Sequence, residues 1–224
     1  MKAVDVMVRD VLTVKPDTSV IEVARLLVER DISALPVVDD QGRMVGIISE
    51  ADLMRREEIG TEKRRPWWLE AMIPATTLAN EFSKSHGKRA AELMSPQVIS
   101  AFEDTPLAEI AAILERNQIK RVPITKDGKL VGVVSRSNII QALASSKGDP
   151  DSDRHVDRAI RLEVLARLGE QSWTDFGSRN VIVAGGVVHV WCLVGSPEER
   201  KALISLAEDV PGVTGVVDEM IPAY

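Results

Sequence analysis

The chain has 224 residues, of which 45% are hydrophobic and 28% are charged, and its formal net charge at pH 7 is −6. This length and composition allow one large domain or two to three small ones with a real core, and the negative charge argues against a general nucleic-acid binder. One cysteine and three scattered histidines permit no internal disulfide and give no metal-ligand spacing. The charged N-terminus lacks a signal-peptide pattern, and the longest apolar stretch is too short to span a bilayer. We therefore expect a soluble, cytoplasmic protein.

One stretch of the chain occurs twice. The pattern from Met7 to Leu53 returns from Met94 to Ile139 at a constant interval, apart from one residue lost in a turn. Each copy contains a short extended segment, a helix with periodic apolar residues, two strands joined by a Gly-containing turn, and the start of a second helix. Gly46 and Gly132 lie at matching places inside strands, which indicates close approach of another backbone. The predicted order is β-α-β-β-α in each copy, and two such units usually bury a shared face.

The rest of the chain forms an insert and a tail. The insert, residues 56–89, contains Pro66-Trp67-Trp68, which suits either a nucleic-acid stacking surface or, as we favour, a domain or dimer interface. The polar run at 145–153 predicts a domain boundary. Beyond it the pattern predicts α-β-β-α-β, with Gly185-Gly186 as a hairpin turn and Ser196-Pro197 opening the second helix. The tail is thus a small α+β layer.

Two matching residue pairs could bind a ligand. Ser49 and Asp52 lie where the second strand of repeat one gives way to a helix, and Ser135 and Asn138 occupy the same place in repeat two. Such a pair can face the positive end of the helix, which suits a phosphate, and a short carboxylate can accept the hydroxyls of a ribose. The same Ser-x-x-Asp pattern is also an ordinary helix cap. From these residues alone, both interpretations stay open.

In order, spacing and both ends of each unit, the duplicated part resembles tandem cystathionine-β-synthase (CBS) domains, the pair called a Bateman module. The resemblance implies CBS domain 1 at 4–55, the insert at 56–89 and CBS domain 2 at 90–145. It also implies a pseudo-two-fold pair of repeats that encloses two clefts for adenosyl ligands such as AMP, ADP, ATP or S-adenosylmethionine. Members of the family commonly form disc-like dimers, so a homodimer is expected.

The resemblance also implies a set of ligand-binding residues in each cleft. Cleft one would contain Thr13, Val14, Ala34, Leu35, Pro36, Ser49 and Asp52. Cleft two would contain Ser100, Ala101, Lys120, Arg121, Val122, Pro123, Ser135 and Asn138. In the family, the Ser/Thr-x-x-Asp element holds phosphate and ribose, while backbone near the first strand and before the proline holds adenine. Asn138 replaces the acid, so one hydroxyl can still be accepted but without the charge-assisted bond, which is roughly twice as strong as a neutral one. Lys120 and Arg121 offer charge to a phosphate or form a solvated rim pair.

The tail, residues 155–224 after a linker at 146–154, resembles the BON domain. The resemblance rests on Val181–Val183, Gly186–Val190, Leu193–Gly195, Glu199 and Val210–Val213. That family is associated with membrane or phospholipid attachment. From residue 154 onward, however, seven Lys/Arg stand against ten Asp/Glu, and an anionic lipid surface favours basic patches. We therefore expect a protein-contact or intramolecular module, with lipid as the second alternative, and we expect Cys192 and His189 to be structural.

Together these patterns predict a mixed α+β protein with two CBS repeats and a BON-like domain. The sequence contains no nucleophile–base pair, acid pair or metal cluster of convincing spacing, so we expect no enzyme activity and no required cofactor. The leading hypothesis is a regulatory protein in which an adenosyl ligand changes the packing of the repeats and the change reaches the BON-like domain or a protein effector. The alternatives are a structural module with empty clefts, which Asn138 favours, and a lipid-associated protein. An enzyme would need an active site in the insert at 55–89.

Overall fold

The computed structural model describes residues 1–61, 66, 72–146, 154–173 and 180–223. The predictions for Trp67 and Trp68, and most of the predicted boundary at 145–153, lie outside these residues. The chain divides into two compact units. The repeat-one unit consists of residues 12–99 and 127–130, and the repeat-two unit consists of residues 1–11, 100–126 and 131–224.

The repeat-one unit begins with the predicted elements. They are α1 (Val20–Glu29), β1 (Ala34–Val38), β2 (Met44–Ser49) and α2 (Glu50–Leu53), followed by α3 (Ala75–His86) and α4 (Ala90–Leu93). Helix α1 starts after Ser19, whose hydroxyl accepts a hydrogen bond from the Glu22 N–H at 3.2 Å. Strands β1 and β2 are antiparallel. The extended segment before α1 adds a parallel bridge between Val14 and Val37.

The core of this unit includes residues from both sides of the insert. Apolar residues of α1, β1 and β2 pack with Ala90 and Leu93 of α4, which are fully buried. Gly46 lies in β2 where a Cβ would stand 2.5 Å from the sulfur of Met94 and 3.1 Å from the Ser95 carbonyl oxygen. The prediction of close approach at Gly46 is therefore confirmed, and a side chain there would force Met94 to shift.

The repeat-two unit contains the second copy. Its elements are β3 (Ala101–Phe102), α5 (Leu107–Arg116), β4 (Arg121–Lys126), β5 (Lys129–Ser135) and α6 (Arg136–Ser145), and the strands form a sheet in the order β3-β4-β5. Ala101 pairs in parallel with Ile124, as Val14 pairs with Val37 in repeat one. Pro106 has extended backbone and precedes α5 by one position.

The tail folds in the predicted order, with its last strands interrupted. The elements are α7 (Arg154–Gly169), β6 (Asn180–Ala184), β7 (Val187–Trp191), β8 (Leu193–Val194), α8 (Pro197–Glu208), β9 (Gly215–Asp218) and β10 (Ile221–Pro222). Gly185 and Gly186 both have positive φ in the turn between β6 and β7. Strand β7 pairs in parallel with β9, and β8 pairs in parallel with β10. Cys192 packs in the apolar core with α7 and α8, which confirms its structural role, and the α+β class is confirmed.

The tail packs directly on repeat two. Ile182 of β6 is fully buried among the core residues of repeat two, and Trp191 of β7 packs against the same cluster. The Trp191 indole N–H donates a hydrogen bond to the Ser145 hydroxyl at 3.2 Å. The sheet of the tail therefore buries residues on both faces. Among the helices of the described residues, none combines the length and the apolar character needed to cross a membrane.

Candidate functional site

The site predicted in repeat one is organised around the carboxylate of Asp52. Its Oδ2 accepts hydrogen bonds from the Ser49 backbone N–H at 3.0 Å and from the Ser49 hydroxyl at 2.7 Å. Its Oδ1 accepts a hydrogen bond from the ammonium group of Lys84 at 2.8 Å. The Asp52 side chain is 14% exposed, so the carboxylate is shielded but reachable. The pair thus caps the helix and still leaves acceptor capacity on Oδ1.

The helix that follows Ser49 is shorter than the ligand hypothesis requires for a strong dipole. Helix α2 has four residues, whereas the equivalent α6 has ten. Because the macrodipole is the sum of aligned peptide dipoles, one turn contributes little positive potential. The dipole of this helix therefore gives a phosphate little attraction, and a side chain would have to supply the positive charge.

The other residues predicted for cleft one divide into backbone and side-chain groups. The Val14 N–H donates to the Pro36 carbonyl oxygen at 3.1 Å, and the Val14 carbonyl oxygen accepts from the Val38 N–H at 2.9 Å. Leu35 is fully buried in the core, so its side chain is directed away from any ligand. Ala34 lies opposite Ser49 across the β1–β2 pair. The fold therefore brings Ala34, Ser49 and Asp52 together, and Thr13 is partly exposed beside Val14.

Lys84 is a site residue that sequence reasoning missed. It lies in the last turn of α3, inside an insert that has no counterpart in repeat two. The Arg56 guanidinium holds this helix end, donating to the Lys84 carbonyl oxygen at 3.0 Å and to the Gly87 carbonyl oxygen at 2.8 Å. Arg56 is 6% exposed and also forms an ion pair with Glu58. The hydrogen bonds from Arg56 to the Glu58 carboxylate hold the pKa of Glu58 below its usual value. The repeat pattern contains no signal for Lys84, because only the fold brings it to Asp52.

The equivalent site in repeat two has the same cap with different chemistry. The Asn138 Oδ1 accepts hydrogen bonds from the Ser135 backbone N–H and from the Ser135 hydroxyl, both at 2.8 Å. These two bonds use both lone pairs of the only side-chain oxygen. Asn138 is 5% exposed. It therefore offers a ligand no free side-chain acceptor, in contrast to Asp52.

The remaining residues predicted for cleft two follow the pattern of repeat one. Val122 and Ala101 are buried in the core, and Pro123 is buried in β4. The Lys120 carbonyl oxygen accepts from the Arg136 N–H at 3.3 Å, which places Lys120 beside the start of α6. Lys120 and Ser100 are exposed, and Arg121 is partly exposed.

A chain of polar side chains leads from Asn138 into the tail. The Asn138 amide donates to the Gln141 Oε1 at 3.1 Å, and the same oxygen accepts from the Asn180 amide of β6 at 2.8 Å. The Asn180 Oδ1 in turn accepts from the guanidinium of Arg161 in α7 at 3.2 Å. Asn180 is 2% exposed, so its hydrogen bonds form where water competes little.

Arg161 is the last residue of this row of hydrogen-bonded side chains, and it is buried. Its guanidinium also donates to the carbonyl oxygens of Val181 at 2.6 Å, Met7 at 2.7 Å and Val4 at 3.1 Å. Burial, together with the nearby charge of Arg9, lowers the pKa of Arg161 to about 10, and Asp5 partly offsets the shift. The group stays charged at neutral pH and joins the tail to the N-terminal segment. Across the described part of the chain, His, Cys, Asp and Glu form no group suited to a metal ion.

The geometry of two like units followed by a small α+β layer defines a class of protein. A family model described as CBS domain matches residues 3–58 and 90–145, and one described as BON domain matches residues 156–221. The chain therefore belongs to the CBS-domain family and carries a C-terminal BON domain, which confirms both resemblances.

The chain is similar to two plant proteins and to a crystal structure of one of them. Over 145 residues the chain is 32% identical to the CBS domain-containing protein CBSX2, chloroplastic, of Arabidopsis thaliana, and over 148 residues it is 33% identical to CBSX1 of the same plant. These matches cover 62% and 63% of the chain but only 61% and 63% of the relatives' own lengths. The crystal structure of CBSX2 in complex with AMP matches with a TM-score of 0.55 and 32% identity, covering 64% of this chain and 96% of that one.

Proposed function

We propose that the protein is a regulatory nucleotide sensor that binds an adenine nucleotide beside Ser49 and Asp52 of repeat one. The ribose hydroxyls would donate to Asp52, and backbone near Val14 and Pro36 would hold the adenine. The observation that carries the proposal is the Asp52 carboxylate, whose Oδ2 is fixed by Ser49 while Oδ1 keeps a free lone pair. The likeness to CBSX2, a protein whose structure contains AMP, supports the same ligand class.

We assign a different role to the equivalent position in repeat two. A ligand beside Ser135 and Asn138 would have to redistribute the hydrogen bonds that Asn138 Oδ1 already accepts. Because the Asn138 amide is bonded to Gln141, and Gln141 to Asn180 of the BON domain, such a change would reach the tail. The row of hydrogen-bonded side chains therefore supports a relay from repeat two to the BON domain. Such a relay requires that the ligand binds one conformation of the protein more tightly than another.

The further expectations stay predictions. These are S-adenosylmethionine as an alternative ligand, a homodimer, a separate protein effector, a cytoplasmic location and the absence of enzyme activity. Lipid association of the BON domain also stays an alternative, and co-sedimentation with vesicles would favour it.

The test is calorimetry of ligand-free protein with AMP. We expect Asp52→Ala to weaken AMP binding by about 10-fold or more, since a hydrogen bond to a charged group contributes about 1.5–3 kcal/mol. Asp40→Ala is the matched control, because Asp40 is an exposed acid in the β1–β2 turn of the same unit. It should leave the affinity unchanged.

Two results would contradict the proposal. If the wild-type protein, shown to be ligand-free by mass spectrometry, releases no heat with AMP, ADP or ATP, it is not a sensor of these nucleotides. If Asp52→Ala binds AMP as tightly as the wild type, the nucleotide does not use the carboxylate of repeat one.

A further inference from the structure

The ion pair between Lys84 and Asp52 places a cation where a nucleotide would need one. The ammonium nitrogen lies 2.8 Å from the Asp52 Oδ1, and the Lys84 side chain is 45% exposed. A lysine is a compact charge on a flexible four-carbon stem, so the exposed head can turn from the carboxylate to a neighbouring anion. The pair is thus accessible from solvent.

The position of Lys84 is fixed by buried structure. The Arg56 guanidinium, itself almost fully buried, donates to the carbonyl oxygens of Lys84 and Gly87 and so holds the end of α3. A Cβ on Gly87 would stand 2.7 Å from Leu93 Cδ1 and 2.8 Å from the Ser83 carbonyl oxygen, so this helix end packs without spare room. The insert therefore presents Lys84 to Asp52 from a packed support.

The charges decide which ligand this arrangement suits. A nucleotide phosphate brought close to the Asp52 carboxylate is repelled, and like charges without a compensating cation disfavour binding. We propose that Lys84 supplies this cation and makes the site selective for phosphorylated adenosine, such as AMP, over neutral adenosine and over the sulfonium of S-adenosylmethionine. This inference rests on the proposed nucleotide site. It adds the ligand class and a specificity residue from the insert.

The inference predicts a difference between ligands that share a nucleoside. We expect the wild-type protein to bind AMP more tightly than adenosine or S-adenosylmethionine in calorimetry at one salt concentration. Lys84→Ala should weaken AMP binding by about 10-fold or more, the range of a hydrogen bond to a charged group, and change adenosine binding by less than about 3-fold. Lys84→Arg should keep most of the preference for AMP because the positive charge is retained.

Lys88→Ala is the matched control, since Lys88 is an exposed lysine of the same insert. If Lys84→Ala weakens AMP and adenosine binding equally, Lys84 only orients Asp52 and the proposed phosphate contact is wrong. If Lys84→Ala strengthens the binding of both ligands, Lys84 only competes with the ribose hydroxyls for Asp52, and the proposal is again wrong. Unchanged binding of both ligands would leave the nucleotide site intact and overturn the role of Lys84. If the wild-type protein binds neither ligand, the proposed function itself fails.

Discussion

The serine-based caps of the two repeats differ at one position, which is an acid at 52 and an amide at 138. Asp52 has two oxygens, so Ser49 can occupy one while the other faces Lys84. Asn138 has one oxygen, which Ser135 occupies, and its amide group reaches Gln141 instead. The same capping geometry therefore favours ligand binding in one repeat and an internal connection in the other.

Gln141 is the residue at which this connection can be broken. Leucine is close in size to glutamine but offers no acceptor to Asn138 and Asn180. If the relay is correct, AMP at a concentration that also fills the position beside Ser135 and Asn138 changes amide hydrogen exchange in β6 of the wild-type protein, and Gln141→Leu abolishes that change. The AMP affinity of the site at Asp52 should stay within about 3-fold, because position 141 is outside the site in repeat one. Mass spectrometry of peptides that cover residues 180–184 measures the effect.

Gln41→Leu serves as the control for this experiment, since Gln41 is exposed in the β1–β2 turn. A change in β6 that persists in Gln141→Leu would mean that the signal takes another route. No change in the wild-type protein would remove the relay from the proposed function.

Among the elements, the strand glycines show how neighbouring segments are exchanged between the repeats. Met94, at the start of repeat two, packs on Gly46 of repeat one. Met7, at the start of repeat one, packs on Gly132 of repeat two, where a Cβ would stand 2.7 Å from the Met7 sulfur and 3.0 Å from the Val8 carbonyl oxygen. The first residues of each repeat therefore pack against a strand of the other repeat.

Adding one methyl group tests this packing. We expect Gly132→Ala to lower the free energy of unfolding by about 1–3 kcal/mol, the range for overpacking a tight contact, because a backbone carbonyl must move along with Met7. Gly169→Ala is the control, since a Cβ there has no neighbour within 4 Å. Urea denaturation measures both, and equal stabilities for the two variants would show that the Met7 contact yields at little cost.

The sequence was sufficient to predict most elements but not their partners. Alternation, turn glycines and capping residues predicted the strands and helices of both repeats and of the tail, because these signals are local. A repeat in the sequence shows which segments are alike but not which segments pack against each other. The packing of Met7 on Gly132 and of Met94 on Gly46 could therefore not be predicted. Lys84 was missed for the same reason, since its approach to Asp52 depends on Arg56 and the folded insert.

For the molecule as a whole, one ion pair links the N-terminal segment to the BON domain. The Arg158 guanidinium of α7 donates to Asp5 at 2.5 and 3.3 Å, and the Lys2 N–H donates to the same carboxylate at 2.7 Å. Burial opposes ionisation of Asp5, but these hydrogen bonds outweigh it and hold its pKa below the usual 3.8. A lowered pKa means that Asp5 stabilises the fold above its unfolded pKa and that this contribution disappears as pH falls through the folded value.

The stability of Asp5→Asn should therefore depend on pH in a defined direction. At pH 7 we expect a loss of about 1–3 kcal/mol, because the variant removes a charged partner of Arg158. As the pH falls through the lowered pKa of the folded state, the wild-type carboxyl becomes protonated and the difference should shrink. Thermal unfolding at a series of pH values measures it, with Asp10→Asn, an exposed neighbour, as the control. A difference that does not vary with pH would show that the charge of Asp5 contributes nothing.

The exchanged N-terminal segment has a consequence for how the chain folds during synthesis. Residues 1–11 are synthesised before residues 12–99, yet they belong to the unit that contains residues 100–126 and 131–224. Residues 12–99, nearly all of the other unit, are complete much earlier. Domains generally fold as they emerge, so the leading segment, with its apolar Val6 and Met7, must wait unpaired until the second half is made. During that interval its apolar side chains stay exposed to chaperones and to other nascent chains.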